Sequence, residues 1–437
     1  MIWWMTLSIL GAVLAGLFAT GLPVAIAFLG TNIIGAWLFL GGTAGLDQLV
    51  RNASGAVSSF SLVPIPLFIL MGELLFHCGL AFKAIEAVER LLNRLPARLA
   101  CVTVVGGTAF SALSGSSIAN TALLGSTLSQ DMLKRGYSPT LALGPAMATG
   151  GIAVLIPPST LAVMLGSLSG ISITQLLIGG IVPGFLMAAG FLVYVILVGV
   201  FDPSAAPRQD HTQTYTFRER YLPFLRDVVP LFGIFVAVIG GMLSGIATPT
   251  EAAALGAMAA FFATICYRSL TWDTLRVSLV ETAKVSVSIL FIIVASTTFS
   301  QILSFSGATT GMLSLVKAVD PTPMALILSM LLILLLMGCF VDEVSMMMIT
   351  VPLFIPLAQS AGIDLVWLGL MMLVVIELGL LTPPFGILLM VMQGAVKTVP
   401  LLQIYKAALP FILIEILVLV LLIFWPELTT FLPSLVR

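Results

Sequence analysis

Two double prolines, Pro157-Pro158 and Pro383-Pro384, cut otherwise apolar runs at positions related by one offset, 383 − 157 = 226 and 384 − 158 = 226. Each is preceded by a polar break, Ser114-Gly115-Ser116-Ser117 in the first case and Asp342-Glu343-Val344-Ser345 in the second, and the same offset relates Ser116 to Asp342. The offset of 226 also relates Pro23 to Pro249, Gly30 to Gly256, Asp47 to Asp273 and Gly136 to Gly362. A spacing that survives from near the N-terminus into the last third of the chain implies a duplicated unit.

The apolar runs decide the class. With 59% hydrophobic and 8% charged residues, the chain is too apolar for water. Its runs reach the ~20 residues that cross a hydrocarbon core. Unpaired peptide groups are costly in lipid, so only helices or closed barrels span it, and runs this continuous are helical. The expected fold is an all-α polytopic membrane protein with two inverted-topology repeats, each holding a re-entrant helical hairpin and a broken transmembrane helix. Met1-Ile2-Trp3-Trp4 lacks a basic region and a cleavage site, which reads as a retained first span with interfacial tryptophans. A net charge of −1 excludes a nucleic-acid partner, which requires a basic patch. Cys78, Cys101, Cys266 and Cys339 are scattered without CxxC spacing and read as free structural thiols.

The first repeat is expected over 1–201, with spans near 3–20, 22–41, 62–82 and 174–201, an interfacial arm near 43–60, hairpin 1 near 99–130 and a broken helix near 139–166. A polar cytoplasmic linker follows at 202–228, with Asp202-Pro203, Pro207, Arg208 and Arg218-Glu219-Arg220. The second repeat, 229–437, is expected to hold spans near 229–246, 249–268, 284–304 and 401–425, an arm helix near 270–283, hairpin 2 near 323–360 and a broken helix near 364–391. Five crossings per repeat invert the second copy. Lys and Arg favour cytoplasmic loops, and an N-terminus placed outside leaves only Arg51, Lys317 and Arg437 of the 18 basic residues on that side. Arg94 and Arg208 then fall in the cytoplasm.

A helix interrupted within the membrane exposes carbonyls at one broken end and N–H groups at the other, suited to cations and anions respectively. At the first break Ser114, Ser116 and Ser117 add hydroxyls opposite Thr149-Gly150-Gly151 and Pro157-Pro158, which make an oxygen cage for a hard monovalent cation. At the second, Gly379, Thr382 and Pro383-Pro384 face Asp342, Glu343 and Ser345, so carboxylates join the cage; an intramembrane carboxylate marks an ion or substrate path. Glu377 lies on the helix entering the second double proline. Glu251, in Thr248-Pro249-Thr250-Glu251, is a helix cap or a functional contact. Glu73 and His77, four apart, read as a satisfied polar pair, and Met346-Met347-Met348 as flexible packing.

Ser114-Gly115-Ser116-Ser117-Ile118-Ala119-Asn120, Ile156-Pro157-Pro158-Ser159, Ala247-Thr248-Pro249-Thr250-Glu251-Ala252 and Leu381-Thr382-Pro383-Pro384-Phe385-Gly386 resemble the signature stretches of the large membrane subunit of tripartite ATP-independent periplasmic (TRAP) transporters, an elevator fold like that of the ion transporter superfamily. The resemblance runs through the whole chain. It implies sodium-coupled import of a small organic anion, a carboxylate or sulfonate, across the bacterial inner membrane by elevator-type alternating access. It implies three kinds of partner besides the membrane lipids: a small four-helix membrane subunit as a separate chain, a periplasmic substrate-binding protein, and the anion itself.

The resemblance further implies two sodium ions and no organic cofactor. Carried over residue by residue, one ion would be held by Ser114, Ser116, Ala153, Ile156 and Pro158, and the other by Asp342, Gly379, Thr382 and Pro384. The family usually has glycine where this chain has Ala153. Substrate would lie between the hairpin tips, among Ser117, Asn120, Ser159, Thr160, Gln301 and Ser345, with no arginine at that depth. The alternatives are an ion or solute channel, which lacks its usual symmetric subunits here, and a membrane-embedded hydrolase, which adjacent Asp342-Glu343 do not equip because they point ~100° apart on a helix.

Overall fold

The computed structural model describes residues 3–93, 95–202, 204–207 and 216–435. Met1, Ile2, Arg94, Pro203, Arg208 and Arg437, invoked above for topology and linker, lie outside the described residues. Among the described residues every regular element is helical. Seven helical segments are long and apolar enough to cross a membrane, or eight if the bent pair Pro139–Leu155 and Thr160–Ser169 counts as one.

The helix bounds keep the spacing seen in the sequence. Pro139–Leu155 and Leu365–Leu381 are related by 365 − 139 = 226 and 381 − 155 = 226, and the helices leaving the polar breaks start at Ser117 and Glu343, 343 − 117 = 226 apart. Hairpin 1 consists of Arg98–Ser114 and Ser117–Leu124, continued by a π turn over Gly125–Ser129; hairpin 2 consists of Pro323–Gly338 and Glu343–Ser360.

Three segments depart from the expected bounds. The arm near 270–283 and the span near 284–304 are not separate: Trp272–Phe305 is one helix of 34 residues. No glycine or proline interrupts it, whereas the first-copy arm Thr43–Val57 is parted from Pro64–His77 by a short 3-10 turn ahead of Pro64. The linker is partly helical. Thr216 and Glu219 close a capping box on Phe217–Pro223, which runs through a π turn into Val229–Leu243, so the 228/229 boundary lies inside a continuous helical segment. Arg220 ties it down by donating to the Leu91 carbonyl at 2.6 and 3.2 Å. Finally, the stretch after His77 forms the helix Leu80–Leu91, which buries Leu80, Ala81, Ala84, Ala87 and Val88 along one face.

The core lies along the two broken helices. Every residue from Leu141 to Leu155 and from Trp367 to Leu381 is buried, as an all-round apolar sequence requires. Ser138 and Asp364 cap their starts, accepting from Leu141 N–H at 3.4 Å and Trp367 N–H at 2.8 Å. Their ends are set by proline, which disfavours helix in the residue before it. Accordingly Ile156 (φ −85°, ψ 122°) and Thr382 (φ −90°, ψ 130°) turn extended, and both Pro-Pro bonds are cis. The two helices pack on each other, each inside its own hairpin, and Leu401–Phe424 crosses both.

That crossing is close. A Cβ on Gly144 would lie 2.2 Å from Phe411 Cε2 and 2.7 Å from the Ala407 carbonyl. Gly144→Ala is therefore expected to cost about 1–3 kcal/mol by overpacking, read as a lowered Tm of the detergent-solubilised protein. An unchanged Tm would show that the helices separate freely there.

Candidate functional site: two hairpin tips against two proline breaks

At the first break the chain turns through Gly115 (φ +61°), leaves the helix ending at Ser114, and restarts at Ser117 with Ser116 as N-cap. Ser116 Oγ accepts from Ala119 N–H at 3.3 Å, and Ser114 Oγ accepts from Ser116 N–H at 3.4 Å. The tip touches the proline break directly. A Cβ on Gly115 would sit 2.7 Å from the Pro158 carbonyl, and Thr160 Oγ1 donates to the Gly115 carbonyl at 3.4 Å. Ser159 repairs the break, donating to the Val154 carbonyl at 2.5 Å and capping the next helix at Ala162 N–H.

The second break follows the same plan with different side chains. Asp342 is the N-cap, accepting from Val344 and Ser345 N–H at 3.1 Å each and from the Ser345 hydroxyl. Thr382 Oγ1 donates to the Leu378 carbonyl at 2.6 Å, and Tyr405 donates to the Pro384 carbonyl at 2.5 Å. Hairpin 2 meets the broken helix backbone to backbone: a Cβ on Gly338 would lie 2.5 Å from Gly379 Cα. Only glycine at both positions permits that approach.

Between the breaks the two copies share one polar centre. Ser117 Oγ donates to Glu377 Oε1 at 2.5 Å across 260 residues of sequence. Asn120 donates to Ser111 Oγ at 2.8 Å and to Thr149 Oγ1 at 3.3 Å, while Ser111 donates to the Thr149 carbonyl at 2.5 Å. A Cβ on Gly151 would lie 3.5 Å from Glu377 Cβ and 3.6 Å from Glu415 Oε1. Gly151 and Glu377 are themselves counterparts, 377 − 151 = 226. Two positions related by the sequence offset thus lie against each other at this centre.

A family model matches this architecture from end to end. The tripartite ATP-independent periplasmic transporter, DctM component, covers residues 11–428. The chain belongs to that family. It is similar to the 2,3-diketo-L-gulonate TRAP transporter large permease protein YiaN of Escherichia coli (32% identity; 97% of each chain). It is also similar to the ectoine TRAP transporter large permease protein TeaC of Halomonas elongata (29% identity; 98% of this chain and 99% of that one). Among solved structures it shares its fold with the Alcanivorax borkumensis YdaH transporter, at a TM-score of 0.60 and 16% identity over 89% of this chain and 90% of that one. As a DctM-component protein it is a multi-span membrane transporter component, not an enzyme.

Most of the residues singled out in this TRAP permease chain converge on the two breaks. Gln301 does not: its carbonyl accepts from Asn52 of the arm helix. Glu251 closes the capping box with Thr248, whose N–H and hydroxyl each donate to it at 2.8 Å. Glu73 pairs with His77 at 3.0 Å, and the four cysteines are free. Ala153 is fully buried in the first broken helix. Glu415, Tyr405 and Ser111 escaped sequence reasoning. Glu415 had a signal, a lone carboxylate within the apolar run Ile412–Phe424, which by itself flags an intramembrane functional position. Tyr405 and Ser111 had none, because their importance lies in the remote carbonyls they meet.

The contact at Gly115 is separable from its φ. Gly170 also has positive φ (+74°), but a Cβ added there would meet nothing within 4 Å, so Gly170→Ala reports the left-handed backbone cost alone, about 1–2 kcal/mol. Gly115→Ala is expected to lower Tm further, because its methyl group presses on Pro158. Equal losses would show that the tip does not bear on the break.

Proposed function

We propose that this chain is the large membrane subunit of a sodium-coupled importer for small organic anions in the bacterial inner membrane, N-terminus periplasmic, with its two copies in inverted orientation. The supporting observation is the matched pair of breaks, in which a capped hairpin tip faces a helix ended by a cis double proline. Each break gathers only oxygen donors. Ser114 and Ser116 with main-chain oxygens of Ala153, Ile156 and Pro158 suit one Na⁺; Asp342 with those of Gly379, Thr382 and Pro384 suits another. Hard oxygen ligands fit a small hard cation.

The anion would lie between the tips near Thr160 and Ser345, where the helix N-termini at Ser117 and Glu343 bring positive dipole ends; the donors of Ser117 and Asn120 are taken up by Glu377, Ser111 and Thr149 behind it. Two bound sodium ions offset its charge and order the tips, so that each ligand favours the other. The relatives named for ectoine and for 2,3-diketo-L-gulonate support a compact polar solute bearing a carboxylate. A small membrane subunit and a periplasmic binding protein complete the system, as the tripartite description implies.

An elevator motion would carry the hairpins and broken helices past the remaining helices. Two clefts support this division. One of about 420 Å³, lined by Val104, Thr108, Phe185, Leu231 and Phe235, parts hairpin 1 from flanking helices. Another of about 400 Å³, lined by Ser61, Pro64, Ser167, Thr174 and Thr250, lies beyond the first break.

In proteoliposomes holding both membrane subunits, an inward sodium gradient is expected to drive saturable uptake that depends on the binding protein, and flux indifferent to the gradient would favour a pore. Asp342→Ala is expected to abolish sodium-driven uptake in folded protein; undiminished sodium dependence would take Asp342 out of the second site.

A further inference from the structure

The two breaks are not independent pockets. Ser117 follows Ser116, the N-cap of the first hairpin tip, as the first residue of helix Ser117–Leu124. Glu377 lies two residues before Gly379, in the last turns of the helix that ends at the second break. Both side chains are buried, at 1% and 2% exposure, and one hydrogen bond of 2.5 Å joins them. Beside it, Glu377 shares a side-chain hydrogen bond with Glu343 at the start of the second hairpin's inner helix, so Ser117 is the partner that the first half of the chain contributes to this buried carboxyl. Gly151, which the 226-residue offset pairs with Glu377, lies against it: a Cβ there would make ordinary contact with Glu377 Cβ at 3.5 Å.

We propose that the Ser117–Glu377 hydrogen bond is the positioning link that couples cation binding at one break to cation binding at the other. The inference rests on the sodium-coupled reading above. The bond forms only when the first tip holds helix Ser117–Leu124 in place and the second broken helix holds its last turns in place. An ion that orders either break therefore sets one partner of the bond and favours the ordered form of the other break. Such a shared contact gives positive coupling, and coupling is reciprocal. A buried polar group that loses its hydrogen-bond partner is disfavoured, so the ordered forms of the two breaks favour each other. Neither residue needs to touch an ion.

Sodium binding to the purified full-length chain tests the link, with ²²Na⁺ as probe and choline chloride holding ionic strength constant. The unaltered chain is expected to bind two ions with a Hill coefficient clearly above one. Ser117→Ala and Glu377→Leu should still bind two ions, but with a coefficient near one and about tenfold weaker overall, within the range of ordinary coupling. The double variant should be no worse than either single one. Ser117→Thr, which keeps the hydroxyl, and Glu377→Gln, which keeps an acceptor, should restore cooperativity; a merely structural role would lower Tm without changing the coefficient. Full cooperativity in Ser117→Ala overturns the link and leaves the transporter reading standing. Absence of sodium binding by the unaltered chain overturns that reading, and the link with it.

Discussion

The structure depends on one constraint: a peptide group in hydrocarbon must be paired, and each unpaired one costs several kcal/mol. A chain that breaks two helices within the membrane must therefore surround both breaks with protein. The molecule does so by burying Leu141–Leu155 and Leu368–Leu381 completely and wrapping each in its own hairpin. Side chains then repair what proline disrupts. Ser159 serves the Val154 carbonyl, Thr382 the Leu378 carbonyl and Tyr405 the Pro384 carbonyl. The carbonyls and hydroxyls gathered at the tips thus follow from the same constraint that shapes the fold.

The two copies divide the work unequally. The first tip is capped by a neutral hydroxyl at Ser116, the second by the carboxylate of Asp342 at the counterpart position, 342 − 116 = 226. At the midline Gly151 faces Glu377. In both cases the acid lies in the second half of the chain and a smaller residue stands at the position 226 earlier.

Much of this was legible in the chain. The double prolines and the polar breaks marked where helices end and restart, at Leu155, Leu381, Ser117 and Glu343, because proline and glycine act on their immediate neighbours. The free cysteines and the Glu73–His77 pair follow from spacing in the same way. The bounds that differed are those where hydropathy is a poor guide to helix continuity. Polar residues at Asp273, Arg276 and Lys284 suggested a separate arm, yet nothing there stops a helix, and Trp272–Phe305 runs unbroken. The linker likewise looked irregular because it is charged, while its capping box starts a helix.

Sequence by itself determined the solvent the protein lives in, the positions of its breaks and the kinds of atom gathered there. Those properties are set by composition and by contacts between near neighbours along the chain. Only the tertiary structure decided which groups meet: that Gln301 turns to Asn52, that Tyr405 reaches Pro384, and that Ser117 meets Glu377 across 260 residues. The physical reason is range. A proline breaks its own helix wherever the rest of the chain goes, whereas the Ser117–Glu377 bond exists only once packing has brought helix Ser117–Leu124 to the end of helix Leu365–Leu381.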